Sequence, residues 1–214
     1  MVNRSEYISD AVIRRLPRYY RHLGELMNQG ITRISSGELG AQMGLTASQV
    51  RQDFNHFGGF GQQGYGYNVK DLYKEVASIL GIDQMHKAVI IGAGHLGAAL
   101  VKYPNFIKRG FDFVALFDVN PDLIGTDIGG VPIYSMDTLE EYIEANNIDI
   151  VVLTIPKVEA SLVGERLSST SIRGIWNFAS RDLKISNPNI IIENVQLSDS
   201  LMRLSYRMHN DQRD

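Results

Sequence analysis

The six residues Gly92-Ala93-Gly94-His95-Leu96-Gly97 restrict what this chain can fold into more than any other stretch. Glycines at that spacing arise easily by chance in a sequence that holds 20 of them, so the flanks decide the matter. Lys87-Ala88-Val89-Ile90-Ile91 is a short apolar run suited to a buried parallel strand, and Leu96 to Val101 opens an apolar helix. A strand, a glycine turn and a helix in that order aim backbone N–H groups at a pyrophosphate, and the glycines let other backbone approach closely. Phe113 to Phe117 then forms a second strand pattern ending at Asp118, 21 residues beyond Gly97. An acid there accepts both hydroxyls of an adenosine ribose and repels a 2′-phosphate, which predicts NAD(H) rather than NADP(H).

The alternation continues. Glu140 to Asn146 and Val158 to Leu167 have helical patterns, whereas Ile148 to Leu153, Gly174 to Phe178 and Ile190 to Ile192 suit strands. That grammar predicts a Rossmann-type, doubly wound parallel sheet covered on both faces. Ligands bind beyond the carboxyl ends of such strands. The expected cofactor contacts are therefore Gly92, Ala93, Gly94, His95, Leu96, Gly97 and Asp118, with Thr154-Ile155-Pro156 and Asn177-Phe178-Ala179 beyond two further strands.

With 214 residues, 44% of them hydrophobic, the chain suffices for one large or two small domains. It holds no cysteine, which excludes disulfide, zinc-thiolate and thiol chemistry. No run is apolar enough to span a bilayer and no secretory segment is present, so a soluble cytoplasmic protein without membrane or metal partners is expected. A net charge of -3 gives no global attraction to nucleic acid. Arg4, Arg14, Arg15, Arg18, Arg21, Arg33 and Arg51 nevertheless gather in the first part of the chain, against Glu6, Asp10, Glu25, Glu38 and Asp53.

That first part has a different periodicity. Leu16, Tyr19, Tyr20, Leu23, Leu26 and Met27 recur at helical spacing up to Gly30. Ser35-Ser36-Gly37-Glu38 is a capping box before a short helix ended by Gly44, and Thr46-Ala47-Ser48-Gln49 opens a helix running to about Phe57. The pair forms a helix-turn-helix pattern. On its second helix Val50, Phe54 and Phe57 share one side, Ser48, Gln52 and Asn55 the other, and Gln49, Arg51 and His56 flank. Hydroxyl, amide and guanidinium groups are those that read base edges in a major groove.

Gly58 to Tyr67 alternates glycine with aromatics, as two short strands around a tip would, and makes a wing after the recognition helix. Gln62 and Gln63 at the tip could enter a minor groove. A helix marked by Leu72, Val76, Ile79 and Leu80 ends at Gly81, which puts the domain boundary near Ile82 to His86. The predicted fold is α/β: a winged helix-turn-helix DNA-binding domain over 1–83, a Rossmann NAD(H)-binding domain over 84–195, and a C-terminal helix for dimerisation over 196–214.

Together these halves resemble the Rex family of redox-sensing transcriptional repressors. The resemblance covers nearly the whole chain and rests on Arg15-Leu16-Pro17-Arg18-Tyr19-Tyr20-Arg21, Val50-Arg51-Gln52-Asp53, Phe57 to Gly61, Gly64 to Tyr67, the glycine turn, Tyr103-Pro104, Thr154-Ile155-Pro156, Asn177-Phe178-Ala179 and Leu201 to Tyr206. It implies a non-enzymatic repressor that binds inverted-repeat, double-stranded operator DNA as a homodimer when NADH is low and is released when NADH binds. NADH and NAD+ are then effectors, not substrates. Ser48, Gln49, Arg51, Gln52, Asn55, Gln62 and Gln63 would face DNA.

The resemblance further implies a C-terminal helix exchanged between protomers. Leu197, Leu201, Leu204 and Met208 form a stripe that must bury itself on a partner or on its own Rossmann domain, and both options stay open. Arg21, Tyr103 and Gln196 match the family's switch positions, but Gln196 replaces the usual acid and cannot form a salt bridge. A pocket walled by Ile155, Phe178 and Leu197 of the partner subunit would penalise the cationic nicotinamide of NAD+ more than the neutral one of NADH. Two alternatives remain. One is an NAD-dependent dehydrogenase with an appendage, for which Lys157 is the best acid-base candidate; the other is a regulator responding to CoA or another nucleotide.

Overall fold

The computed structural model describes residues 8–58, 65–179 and 182–210. Contacts divide the chain after Gln84 into two compact units.

In the first unit, α1 (Asp10–Asn28) buries Val12, Leu16, Tyr19, Leu23 and Leu26, one stripe of a helix. A short strand, β1 (Arg33–Ile34), leads into α2 (Ser36–Met43) and α3 (Ala47–Asn55). Both capping boxes form, Ser35 with Glu38 and Thr46 with Gln49. Gly44 leaves α2 in the left-handed region at φ 69°, and a Cβ on Gly40 would stand 2.7 Å from the Leu45 carbonyl, so the tight turn between the helices needs glycine there. After β2 (Tyr67–Asn68), the Asn68 side chain caps α4 (Val69–Ile79). Through the centre, Tyr19 lies tilted against Phe54 at a ring separation of 4.8 Å, and Phe54 meets Tyr67 edge-on at 5.4 Å.

Two expectations change in this unit. The second helix of the pair, α3, stops at Asn55, two residues before Phe57. The strand of the wing at Tyr67–Asn68 pairs antiparallel with Arg33–Ile34, a strand too short to leave a pattern. The expected tip, with Gln62 and Gln63, lies outside the described residues.

The second unit carries β3 (His86–Ile91), α5 (His95–Val101), β4 (Phe111–Asp118), β5 (Asp127–Ile128), β6 (Val131–Ser135), α6 (Leu139–Asn146), β7 (Ile150–Leu153), α7 (Lys157–Leu167), β8 (Gly174–Asn177), β9 (Ile191–Asn194) and α8 (Leu197–Asn210). Its strands form one sheet in the order β5-β6-β4-β3-β7-β8-β9, parallel except for β5. The β5–β6 hairpin was not foreseen. Its turn is Gly129-Gly130, and β6 contains Pro132 and a single buried residue, Ile133, so no alternation could be read.

Leu139, Ile143, Ala160, Val163 and Leu167 seal one face of the sheet from α6 and α7. The opposite face is covered less completely than the two-sided winding predicted. An open apolar concavity of ≈ 330 Å³ remains there, lined by Phe106, Phe113, Ile150, Val152, Trp176 and Ile191. Helix α8 buries none of its described residues; Leu197 is 62% exposed and Leu201 68%.

Candidate dinucleotide cleft and nucleic-acid interface

Strand β3 lies between β4 and β7, so the chain winds outward in opposite directions from this point and leaves a crevice at the strand ends. The glycine turn closes its floor. Gly92 sits at φ 101°, and a Cβ there would meet the Thr154 carbonyl and hydroxyl at 2.9 Å. A Cβ on Gly97 would be 2.1 Å from the Gly92 oxygen, a contact no side chain tolerates. Gly94 has nothing within 4 Å of that position and offers open backbone at the start of α5. The two closed glycines shape the turn and the open one admits a ligand.

Asp118 does two jobs at the end of β4. Its carboxylate accepts the Ala93 N–H at 2.7 Å and the Asn120 N–H at 2.9 Å, which ties it to the turn. A carboxylate has about four acceptor positions, so two remain for ribose hydroxyls. Thr154 donates its hydroxyl to the Gly92 carbonyl at 2.8 Å, and so braces the turn.

The cleft, about 570 Å³, brings together Gly92, Gly94, Asp118, Thr154, Ile155 and Pro156 among its lining residues. Ala93 is buried and contributes through its N–H, while His95 is exposed as the first residue of α5, followed by half-buried Leu96. Three expected contacts are not among the lining residues. Asn177 is 0% exposed; its amide N–H donates to Asn194 Oδ1 at 2.8 Å, and its Oδ1 accepts the Ala179 N–H at 3.0 Å. Phe178 packs edge-on against Trp176 with the cluster on the other face, and Ala179 is buried. These residues hold strand ends together.

Sequence reasoning missed Val119, Leu162, Val163 and Arg166, which also line the cleft. Val119 and Leu162 are each 74% exposed, apolar surface suited to an adenine. The signal was present: Glu159, Leu162, Val163 and Arg166 recur at i, i+3, i+4 and i+7 on α7. Arg166 Nε and Nη2 donate to the two Glu140 oxygens at 2.7 and 2.8 Å, and Nη2 also donates to the Met136 carbonyl at 2.8 Å. The guanidinium holds the Glu140 carboxyl below its ordinary range.

On α3, Ser48, Gln49, Arg51, Gln52 and Asn55 are all exposed, and Val50 and Phe54 point inward. Two have internal bonds as well. Gln49 Oε1 accepts the Thr46 N–H at 2.9 Å, and Arg51 Nη1 donates to the Ser36 hydroxyl at 3.0 Å. An unforeseen ligature anchors the same helix. Asp53, 2% exposed, accepts Arg15 Nε and Nη2 at 2.7 Å each and the Tyr19 hydroxyl at 2.9 Å. Of the switch positions, Arg21 is exposed on α1 of the first unit. In the second unit Tyr103 is half-exposed and edge-on to Phe106 at 5.2 Å, and Gln196 is half-buried ahead of α8.

A helix-turn-helix unit with a polar outward helix, on one chain with a glycine-turn cleft, defines the class: a DNA-binding regulator with a nucleotide-binding domain. Family models agree with each half, "Putative DNA-binding protein N-terminus" over residues 7–55 and "CoA binding domain" over 83–181. The chain belongs to the Rex family of redox-sensing transcriptional repressors. It is 54% identical to the redox-sensing transcriptional repressor Rex of Clostridioides difficile, covering 94% of this chain and 95% of that one. It is 49% identical to Rex of a Thermoanaerobacter species over 99% of this chain and 94% of its relative. Two crystal structures of RSP superpose closely: its complex with β-NAD+ and operator DNA, at TM-score 0.92, 50% identity and coverage of 97% and 95%, and its complex with β-NADH, at 0.89, 47% and 97% of both chains.

Proposed function

We propose that this chain represses transcription as a cytoplasmic homodimer, holding inverted-repeat operator DNA when NADH is scarce and leaving it when NADH fills the cleft. The observation that carries this reading is the join of Asp118 to the glycine turn behind a polar recognition helix. Ser48, Gln49, Arg51, Gln52 and Asn55 read the operator from α3, and Gln62 and Gln63, outside the described residues, add to that contact. Gly92 to Gly97 bind the pyrophosphate, Asp118 the ribose, and Ile155 and Pro156 border the nicotinamide half. The capture of a close relative with NAD+ and operator DNA, and separately with NADH, supports two ligand-dependent states.

Dimerisation is supported by two apolar surfaces left open on one chain, the α8 stripe and the concavity on the sheet. A second copy exchanging α8 would bury both. NADH releases DNA only to the extent that it prefers the released state; a hundredfold preference is worth about 2.7 kcal/mol. At the switch position Gln196 carries an amide, which can hydrogen-bond but cannot form a salt bridge.

Isothermal titration of the purified protein with NADH, NAD+, NADPH and CoA tests the ligand. NADH is expected to bind tightest, and CoA binding above NADH would overturn the reading in favour of the other nucleotide.

A further inference from the structure

Among the described residues lining the cleft, Arg166 is the one basic side chain, and it shares that lining with Asp118. It is accessible, with 40% of its side chain exposed, yet it is held. Both nitrogens of its outer fork edge, Nε and Nη2, are spent on Glu140, and Nη2 is shared with the Met136 carbonyl. Glu140 itself is not part of the lining.

Recognition of a phosphate monoester by arginine draws on two parallel N–H donors and an uncompensated positive charge. Arg166 can offer neither while Glu140 holds it. An adenosine dinucleotide with a 2′-phosphate would bring a dianion to the ribose end, beside the Asp118 carboxylate, in a cleft whose one described cation is paired with Glu140. Without the 2′-phosphate there is nothing to repel, and the free ribose hydroxyls satisfy Asp118.

We propose that Glu140 is a specificity-determining residue: by holding Arg166 it makes the cleft refuse NADP(H) and accept NAD(H). This deepens, and rests on, the reading of the cleft as an NAD(H) site. Glu140 acts through Arg166, at a position one helix removed from the ligand.

The test compares NADH and NADPH binding to the full-length protein, its Glu140→Gln and Glu140→Ala variants, and the double variant Glu140→Gln/Arg166→Leu. Thermal unfolding by circular dichroism confirms that each variant is folded. Release of Arg166 is expected to raise NADPH affinity about tenfold relative to NADH in both single variants, equivalent to about 1.4 kcal/mol. NADH affinity should stay within about twofold, and the gain should vanish in the double variant. An unchanged NADPH-to-NADH ratio in Glu140→Gln and Glu140→Ala, with NADH still bound, overturns the proposal alone. A gain that survives in the double variant overturns it too. Failure of the unmodified protein to bind NADH removes the cofactor reading and this inference with it.

Discussion

Replacing Arg15 by Met should loosen the recognition helix by an amount that the structure fixes fairly narrowly. The Asp53 carboxylate, whose side chain is 3% exposed, would keep only the Tyr19 hydroxyl of its three side-chain donors. Removing one partner of a buried ion pair costs about 3–5 kcal/mol because the other charge stays desolvated. Arg15 is itself 22% exposed and water can partly replace it, so about 3 kcal/mol is expected. That is a factor of roughly 150 in the unfolding constant, a large share of the stability of a unit this small. Guanidinium titration can assign the loss to a unit, since the protein's single tryptophan, Trp176, lies in the second. The far-ultraviolet circular dichroism transition should shift to lower denaturant while the Trp176 fluorescence transition stays. Arg15→Met/Asp53→Leu should recover part of the loss, because an apolar pair leaves no stranded charge but takes the acceptor from the buried Tyr19 hydroxyl. A loss below about 1 kcal/mol, or no recovery in the double variant, would refute the claim that this ligature anchors α3.

Asp118→Ala removes the ribose acceptor and leaves the Ala93 N–H without its partner; NADH affinity should fall by about ten- to a hundredfold, with operator binding of the ligand-free protein unchanged in a gel-shift assay. Gly97→Ala puts a Cβ 2.1 Å from the Gly92 oxygen, so titration calorimetry should detect no NADH binding, while the first unit still unfolds at its normal denaturant concentration. Glu38 and Glu140 are both held below the ordinary glutamate value of 4.5, Glu38 by hydrogen bonds from Ser35 and Glu140 by those from Arg166. Their contribution is present above that value and is lost as pH falls through the lowered folded one. Glu38→Gln should therefore flatten the decline in melting temperature between pH 5 and 3, roughly the span over which such carboxylates protonate; an unaltered slope would show that the capping box does not stabilise α2.

Much of this fold is legible because its signals are local. The capping boxes at Ser35 and Thr46, the stripe from Leu16 to Leu26, and the apolar runs of β3, β4 and β7 each lie within a few residues. What depends on distant residues was not legible. The pairing of Tyr67 with Ile34 needs two strands of two residues each, and Asp53 looks like any polar helix residue until Arg15, 38 positions away, is brought to it. At the cleft the same division holds. Glycine spacing and the acid at 118 point to the turn and to the strand end joined to it, because steric closeness demands glycine and local spacing places the acid. The internal bonds of Asn177 were not legible, because a polar residue at a strand end fits either a ligand or an internal bond and its Asn194 partner is remote in sequence.

The central claim, that the cleft reports the redox state to the DNA-binding unit, is tested most directly by titrating operator binding with NADH at fixed NAD+. Fluorescence anisotropy of a labelled inverted-repeat duplex should fall progressively as NADH rises, and Asp118→Ala should shift that fall to higher NADH. Operator affinity that stays constant across the whole titration, in a protein shown by calorimetry to bind NADH, would contradict it.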